Sequence, residues 1–151
     1  MPAPRTDTPA HTPPLSLVLA FGPAGLILLL GLAGWAGYGW AVELGRLWAA
    51  AILIFLAGVV RGLSFFTEGG PRASQLVVMM ARFGCGIAAL AVPLRWAFPL
   101  LFLGYLTSLL YDPHAARNGE APRYFAQLRV PQMIVALTGV VVLGAVSYVR
   151  V

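Results

Sequence analysis

Charged residues are scarce in this chain, and lysine is absent altogether. Of 151 residues 10% are charged, with ten cations that are all arginine and five acidic residues. Soluble domains carry roughly 25% charged residues, which keep their surface hydrated. With 60% hydrophobic residues, a chain of this kind would expose large apolar patches in water and aggregate. The composition therefore excludes an ordinary soluble domain and favours a protein of the lipid bilayer.

Cysteine and histidine are almost absent as well. The lone Cys85 cannot form an intrachain disulfide, and its apolar surroundings predict a buried, inert thiol. His11 and His114 lie in polar segments, so no histidine pair at helical spacing offers ligands for haem or a metal. Neither a Ser/His/Asp spacing nor a glycine-rich phosphate loop occurs. We therefore expect no cofactor and no metal, and a protein that is not an enzyme.

Long apolar runs make up most of the remaining sequence. The first segment, 1–14, is rich in Pro and Thr without periodicity, and we expect a disordered tail there. A helix needs roughly 20 residues to cross the hydrocarbon, and the candidate spans are 15–37, 47–66, 73–94, a shorter 96–111, and 130–149. Unsatisfied backbone groups cannot face lipid, and no alternating β-pattern is present. The expected fold class is all-α, a polytopic membrane helix bundle of about five transmembrane helices.

The arginines are distributed unevenly between the two sides of this predicted bundle. One side holds the tail, the connection 67–72 and a polar loop at 112–129, and the other side holds the remaining connections. The first side carries seven arginines (Arg5, Arg61, Arg72, Arg82, Arg117, Arg123 and Arg129), and the second carries three (Arg46, Arg95 and Arg150). Because cytoplasmic loops are enriched in cations, we expect an inner-membrane protein with a cytoplasmic N-terminus and a C-terminus on the outer side.

Scattered arginines of this kind are typical of orientation signals. A nucleic-acid surface would need them clustered on one face, so the expected partners are membrane lipids and other membrane subunits, not nucleic acid.

Three aromatic residues lie at the end of the first span, namely Trp35, Tyr38 and Trp40. This position is typical of an interfacial aromatic belt.

Arg82 is the most informative polar residue, because it lies well inside a predicted span. An arginine at the centre of a transmembrane helix costs about 2.5–3.5 kcal/mol on insertion scales, so it requires a partner or water. Asp112 lies at the same side of the membrane in the predicted topology, and Arg61 and Arg129 share that side. Two interpretations remain open: an ion pair that fixes helix register, or a basic pocket between helices for a lipid headgroup or another anion.

Glycines recur within the spans and predict close helix packing. In lipid, small residues let helix backbones approach each other. The candidates are Gly22, Gly25, Gly31, Gly34, Gly58, Gly62, Gly84 and Gly86. We expect packing within the bundle, with a homodimer interface as the alternative.

Several segments resemble a known family. FGPAGLI at 21–27, ILIFLAGVVRG at 52–62, Asp112 at the end of the fourth span and YFAQLRVP at 124–131 are similar to the domain of unknown function 3429 family, five-span proteobacterial relatives of mitochondrial transmembrane protein 69. The segment 57–62 lacks the His-Trp or Arg-Trp that often closes the second span in that family, so a site located there would be altered. The resemblance implies the five-span topology and an energy-transducing bacterial inner membrane, so that the C-terminus would be periplasmic. It points to no particular activity, because none is established for the family.

Small size, glycine-rich spans and few buried polar groups lead to one main functional hypothesis. The chain is expected to be a non-catalytic accessory or assembly subunit that packs against a larger inner-membrane complex, for which a respiratory complex is the candidate. The alternative is a small oligomeric transporter or pore for an anion or lipid, lined by Arg61 and Arg82.

Overall fold

The computed structural model describes residues 11–122 and 124–149, and these form five α-helices without a strand. The helices are α1 (Pro14–Trp35), α2 (Gly39–Ser64), α3 (Ala73–Ala91), α4 (Leu94–Arg117) and α5 (Tyr124–Val149). All five are long enough and apolar enough to cross a membrane. The predicted all-α, five-helix fold class is confirmed. Most of the predicted disordered tail, together with Arg5, Arg123 and Arg150, lies outside the described residues.

Three helices extend beyond the spans predicted from hydropathy. α2 begins at Gly39 instead of 47, α4 continues to Arg117, and α5 begins at Tyr124. The predicted polar loop at 112–129 is therefore wrong, since the two helices leave only six residues between Arg117 and Tyr124. Hydropathy detects the part of a helix within hydrocarbon and misses turns that project beyond it. Pro99 lies inside α4 and cannot donate to the carbonyl of Arg95, which accepts a hydrogen bond from the Tyr148 hydroxyl instead.

Successive helices are antiparallel, and α2 contacts each of the other four. α1 and α5 pack side by side and run parallel, since Ala20 lies against Gln132 and Gly34 lies against Val146. The connections after α2 and after α4 therefore meet at one end of the bundle, which we call the polar end. The α2–α3 connection turns tightly there at two glycines with positive φ, Gly69 and Gly70 (79° and 93°).

Aromatic side chains lie at the other end. Trp35, Tyr38 and Trp40 are at least half exposed between α1 and α2, and Trp96 and Tyr148 are exposed at the same end. The Tyr148 hydroxyl donates to the carbonyl of Arg95 at 2.9 Å. This position is the one predicted for an interfacial belt, where amphipathic rings lie between hydrocarbon and water.

The backbones of α1 and α5 approach each other closely at Gly139. A Cβ atom placed on Gly139 would lie 2.6 Å from the backbone nitrogen of Leu28 and 2.8 Å from the carbonyl carbon of Ile27. Gly31 faces the same interface, against Val142, whereas Gly34 lies against both Val42 of α2 and Val146 of α5. Because lipid tails are as apolar as the side chains, helix association depends on this close backbone approach.

Only part of the predicted glycine set takes part in packing. Gly31, Gly34 and Gly86 meet neighbouring helices. At five other glycines a Cβ atom would meet no described atom within 4 Å outside the adjacent turns of its own helix (Gly22, Gly25, Gly58, Gly62 and Gly84). The packing prediction is wrong for those five within the described bundle. Glycines that do contact another helix were missed at 45, 104, 139 and 144. Glycine spacing does not reveal which face of a helix meets a neighbour.

Replacing Gly139 with alanine should loosen the α1–α5 interface. The added methyl group meets backbone atoms, which cannot rotate away, so we expect a loss of about 1–3 kcal/mol in the free energy of unfolding. Thermal unfolding of the purified protein in detergent micelles measures this loss. Gly58→Ala is the control, because Gly58 is exposed with open space around it, and it should be neutral. Equal effects of the two substitutions would contradict the assigned interface.

Candidate functional site

A buried cluster of charges joins three helices toward the polar end. Arg82 of α3 is completely buried, and its Nη2 donates to Asp112 Oδ1 of α4 at 2.6 Å. The second carboxylate oxygen, Oδ2, lies 2.9 Å from Nε of Arg129 on α5. Asp112 and Arg129 are only 4% and 6% exposed. One carboxylate therefore lies between two guanidinium groups.

Arg82 is also bound to the backbone and hydroxyl of its neighbour on α4. Its Nε donates to Thr107 Oγ1 at 3.1 Å, and its Nη2 donates to the Thr107 carbonyl at 3.2 Å. The Thr107 hydroxyl in turn donates to the carbonyl of Gly104. An arginine side chain has five N–H donors. These contacts replace much of the hydrogen bonding that Arg82 would make to water.

Arg129 is less completely satisfied than Arg82. Its Nη1 donates to Gln132 Oε1 at 2.8 Å, and its guanidinium lies over the ring of Phe125 at 4.2 Å from the centroid. The 2.9 Å approach to Asp112 is an ion pair by distance, but its direction does not make a hydrogen bond. Arg129 Nε and Asp112 Oδ2 consequently have no hydrogen-bond partner.

Gln132 connects the cluster to α1. Its Nε2 donates to the carbonyl of Ala20 at 3.0 Å, and its Oε1 accepts from Arg129. An amide that both donates and accepts fits between a carbonyl and a guanidinium.

The cluster carries a net charge of +1, from two arginines and one aspartate. Charges taken out of water are costly, and attraction repays the cost only where geometry is good and further hydrogen bonds are made. Arg82 meets that condition better than Arg129 does. The arrangement can therefore fix helix register and can also attract an anion.

The structure brings together three of the four residues predicted for this site. Arg82, Asp112 and Arg129 are in contact, but Arg61 lies apart. Arg61 is exposed, donates to Ser64 Oγ at 3.0 Å and lies over the ring of Phe65. Sequence reasoning missed Thr107 and Gln132. A glutamine one turn after an arginine, both within an apolar helix, was a readable signal.

A second polar cluster closes the polar end beside the first. Glu120 is 4% exposed at its side chain and accepts from Arg72 Nη1 at 2.6 Å and from the Tyr111 hydroxyl at 2.9 Å. Gln75 donates to Thr67 Oγ1 at 2.8 Å within the same layer. These bonds tie the α2–α3 and α4–α5 connections together.

Other candidate groups lie away from both clusters. His114 is exposed on α4 and pairs with Asn118, and Cys85 is partly buried against Gly104 instead of fully buried as expected. Across residues 11–122 and 124–149, no three His, Cys, Asp or Glu side chains come close enough to hold a metal ion.

Comparison with protein-family models, with curated proteins and with solved structures finds no match for this chain. The resemblance to the domain of unknown function 3429 family therefore stays a prediction.

Replacing Asp112 with asparagine should destabilise the fold more than replacing either arginine. Asp112→Asn preserves shape but leaves two buried arginines without an anion, and we expect a loss of about 3–5 kcal/mol in the free energy of unfolding. Arg82→Met should cost less, because Asp112 keeps Arg129. Denaturant unfolding in micelles compares the variants.

Arg61→Gln serves as the control for this series, since Arg61 is exposed and outside the cluster. Exposed substitutions usually change stability by no more than about 0.5 kcal/mol. If Asp112→Asn were as mild as Arg61→Gln, the cluster would have no part in holding the helices together.

Proposed function

We propose that this chain is a non-catalytic accessory or assembly subunit that packs against a larger inner-membrane complex. One observation carries the proposal: an exposed stripe along α2 and the residue after it, in which small residues lie between two phenylalanines. The stripe consists of Phe55, Gly58, Gly62 and Phe65, which are all exposed. Among the described residues outside the adjacent turns of α2, no atom lies within 4 Å of a Cβ placed at either glycine. A notch of this form admits the side chains of another transmembrane helix.

The polar groups support the same proposal. The buried charges of Arg82, Asp112 and Arg129 bind each other and the helix backbone. In the second polar cluster, Glu120 binds Arg72 and Tyr111. Groups used in this way stabilise the bundle. A respiratory complex is the proposed host because of the resemblance noted above.

The oligomeric pore has less support. Arg82 is completely buried and bound to Asp112 and Thr107, while Arg61 faces outward on another helix. Two cations so placed do not line a common path.

Purification of the tagged protein in mild detergent tests the subunit role. We expect at least one membrane protein to copurify at stoichiometric level, and the double variant Gly58→Ile/Gly62→Ile to lose it because the added side chains fill the notch. Gly22→Ile is the matched control, since Gly22 is also exposed with open space around it. A homogeneous lone species from the unmodified chain would refute the proposal.

The proposal places the polar end in the cytoplasm of a bacterium. The described arginines favour this orientation: Arg61, Arg72, Arg82, Arg117 and Arg129 belong to the polar end, and only Arg46 and Arg95 to the other.

Cysteine labelling in intact spheroplasts checks the orientation. In a Cys85→Ala background, Tyr38→Cys should react with a membrane-impermeant maleimide and Asn118→Cys should not, because both positions are exposed but lie at opposite ends. After lysis both should react. The reverse pattern would mean that the polar end faces the periplasm.

A further inference from the structure

A cavity lies between α1, α2 and α5 toward the polar end of the bundle. Its volume is about 220 Å³, and its apolar walls include Leu19, Ile52, Leu56 and Val59. Leu19 and Phe55, which also line it, are 65% and 64% exposed on the outer surface. Since this outer surface is what lipid would contact, the cavity opens sideways toward the bilayer.

The inner part of this cavity is charged. Arg129 and Gln132 line it together with Phe125. Gln132 is fixed by its bond to the Ala20 carbonyl, so its Oε1 holds Nη1 of Arg129 at the cavity wall. The guanidinium is thus positioned by its neighbours, with Nε 2.9 Å from Asp112 Oδ2 and Nη1 bound to Gln132.

The charge of the cluster behind this wall is not balanced among the described residues. Arg82 and Arg129 share the single carboxylate of Asp112, so the cluster has one positive charge in excess. A buried charge without a full partner is unfavourable in a low-dielectric surrounding. An anion in the cavity would remove this penalty.

The depth of Arg129 matches that of a lipid headgroup. It follows the start of α5 by five residues, which is about 7 Å along a helix. α5 has 26 residues and so is roughly 39 Å long, longer than the hydrocarbon thickness of about 30 Å. The guanidinium therefore lies near the boundary between hydrocarbon and headgroups when α5 spans the bilayer.

We infer that this cavity binds an anionic phospholipid, with the phosphate at Arg129 and Gln132 and an acyl chain against Leu19, Ile52 and Val59. A dissolved anion would need an aqueous path, whereas the apolar walls and the sideways opening suit an amphiphile. Basic pockets between transmembrane helices bind anionic headgroups in this way. The inference does not rest on the proposed subunit role, because it is argued from Arg129 and the cavity between α1, α2 and α5; Phe55 borders both that cavity and the α2 notch.

Native mass spectrometry of the full chain in detergent tests the inference, with phosphatidylglycerol and phosphatidylcholine as probes. The unmodified protein should retain one phosphatidylglycerol in preference to phosphatidylcholine. Arg129→Gln should weaken phosphatidylglycerol binding by about tenfold or more, since a hydrogen bond to a charged group is lost. Arg61→Gln is the charge-matched control and should retain the preference.

A second pair of variants keeps the test decisive if Arg129→Gln does not fold. Val59→Trp fills the cavity and leaves every charge in place, so it should abolish retention of phosphatidylglycerol. Val77→Trp adds the same bulk on α3, where Val77 is 66% exposed, and should bind normally.

Three outcomes would overturn the inference. The first is equal retention of the two lipids by the unmodified protein. The second is undiminished phosphatidylglycerol binding by a folded Val59→Trp variant. The third is displacement of the lipid by millimolar sodium phosphate, which would identify the ligand as a free anion.

Discussion

One carboxylate, Asp112, holds the bundle together at depth. It accepts from Arg82 and lies against Arg129, and so links α3, α4 and α5 through charges that have no access to bulk water. A helix that carries Arg82 near its middle is stable in a membrane only if that anion is in reach. The position of Asp112 therefore fixes the register of α3, α4 and α5 relative to one another.

Close backbone packing between α1 and α5 adds to the stabilisation that the buried charges provide. Gln132 extends the polar network to Ala20 on α1, and further along the same two helices Gly139 lets the backbones nearly touch at Ile27. Polar contacts set which residues face each other, and glycine sets how near the helices come. Neither would suffice alone, because lipid gives little driving force for apolar surfaces to associate.

The glycines and the buried charges also distinguish closed regions of the molecule from open ones. Where glycines meet another helix, as at Gly139, the interior is closed. Where they stay open, as at Gly58 and Gly62, the surface offers space for foreign protein. Beside Arg129 the interior is neither closed nor electrically neutral, which is why an amphiphile fits there better than a further side chain.

The sequence by itself determined the membrane class, the number of helices and the need for a partner at Arg82, because hydrophobic length and the cost of a buried charge are local properties. The interfacial position of Trp35 and Trp40 could also be predicted from the sequence, because both lie close to the end of the first apolar run. Only the tertiary structure decided that Asp112 pairs with two arginines and that Arg61 lies apart from this cluster. It also decided that Gly139 is the glycine at which the backbones of α1 and α5 meet. Those facts depend on which face of each helix meets a neighbour, and in lipid apolar residues surround a helix on all sides, so the sequence contains no amphipathic pattern that identifies that face.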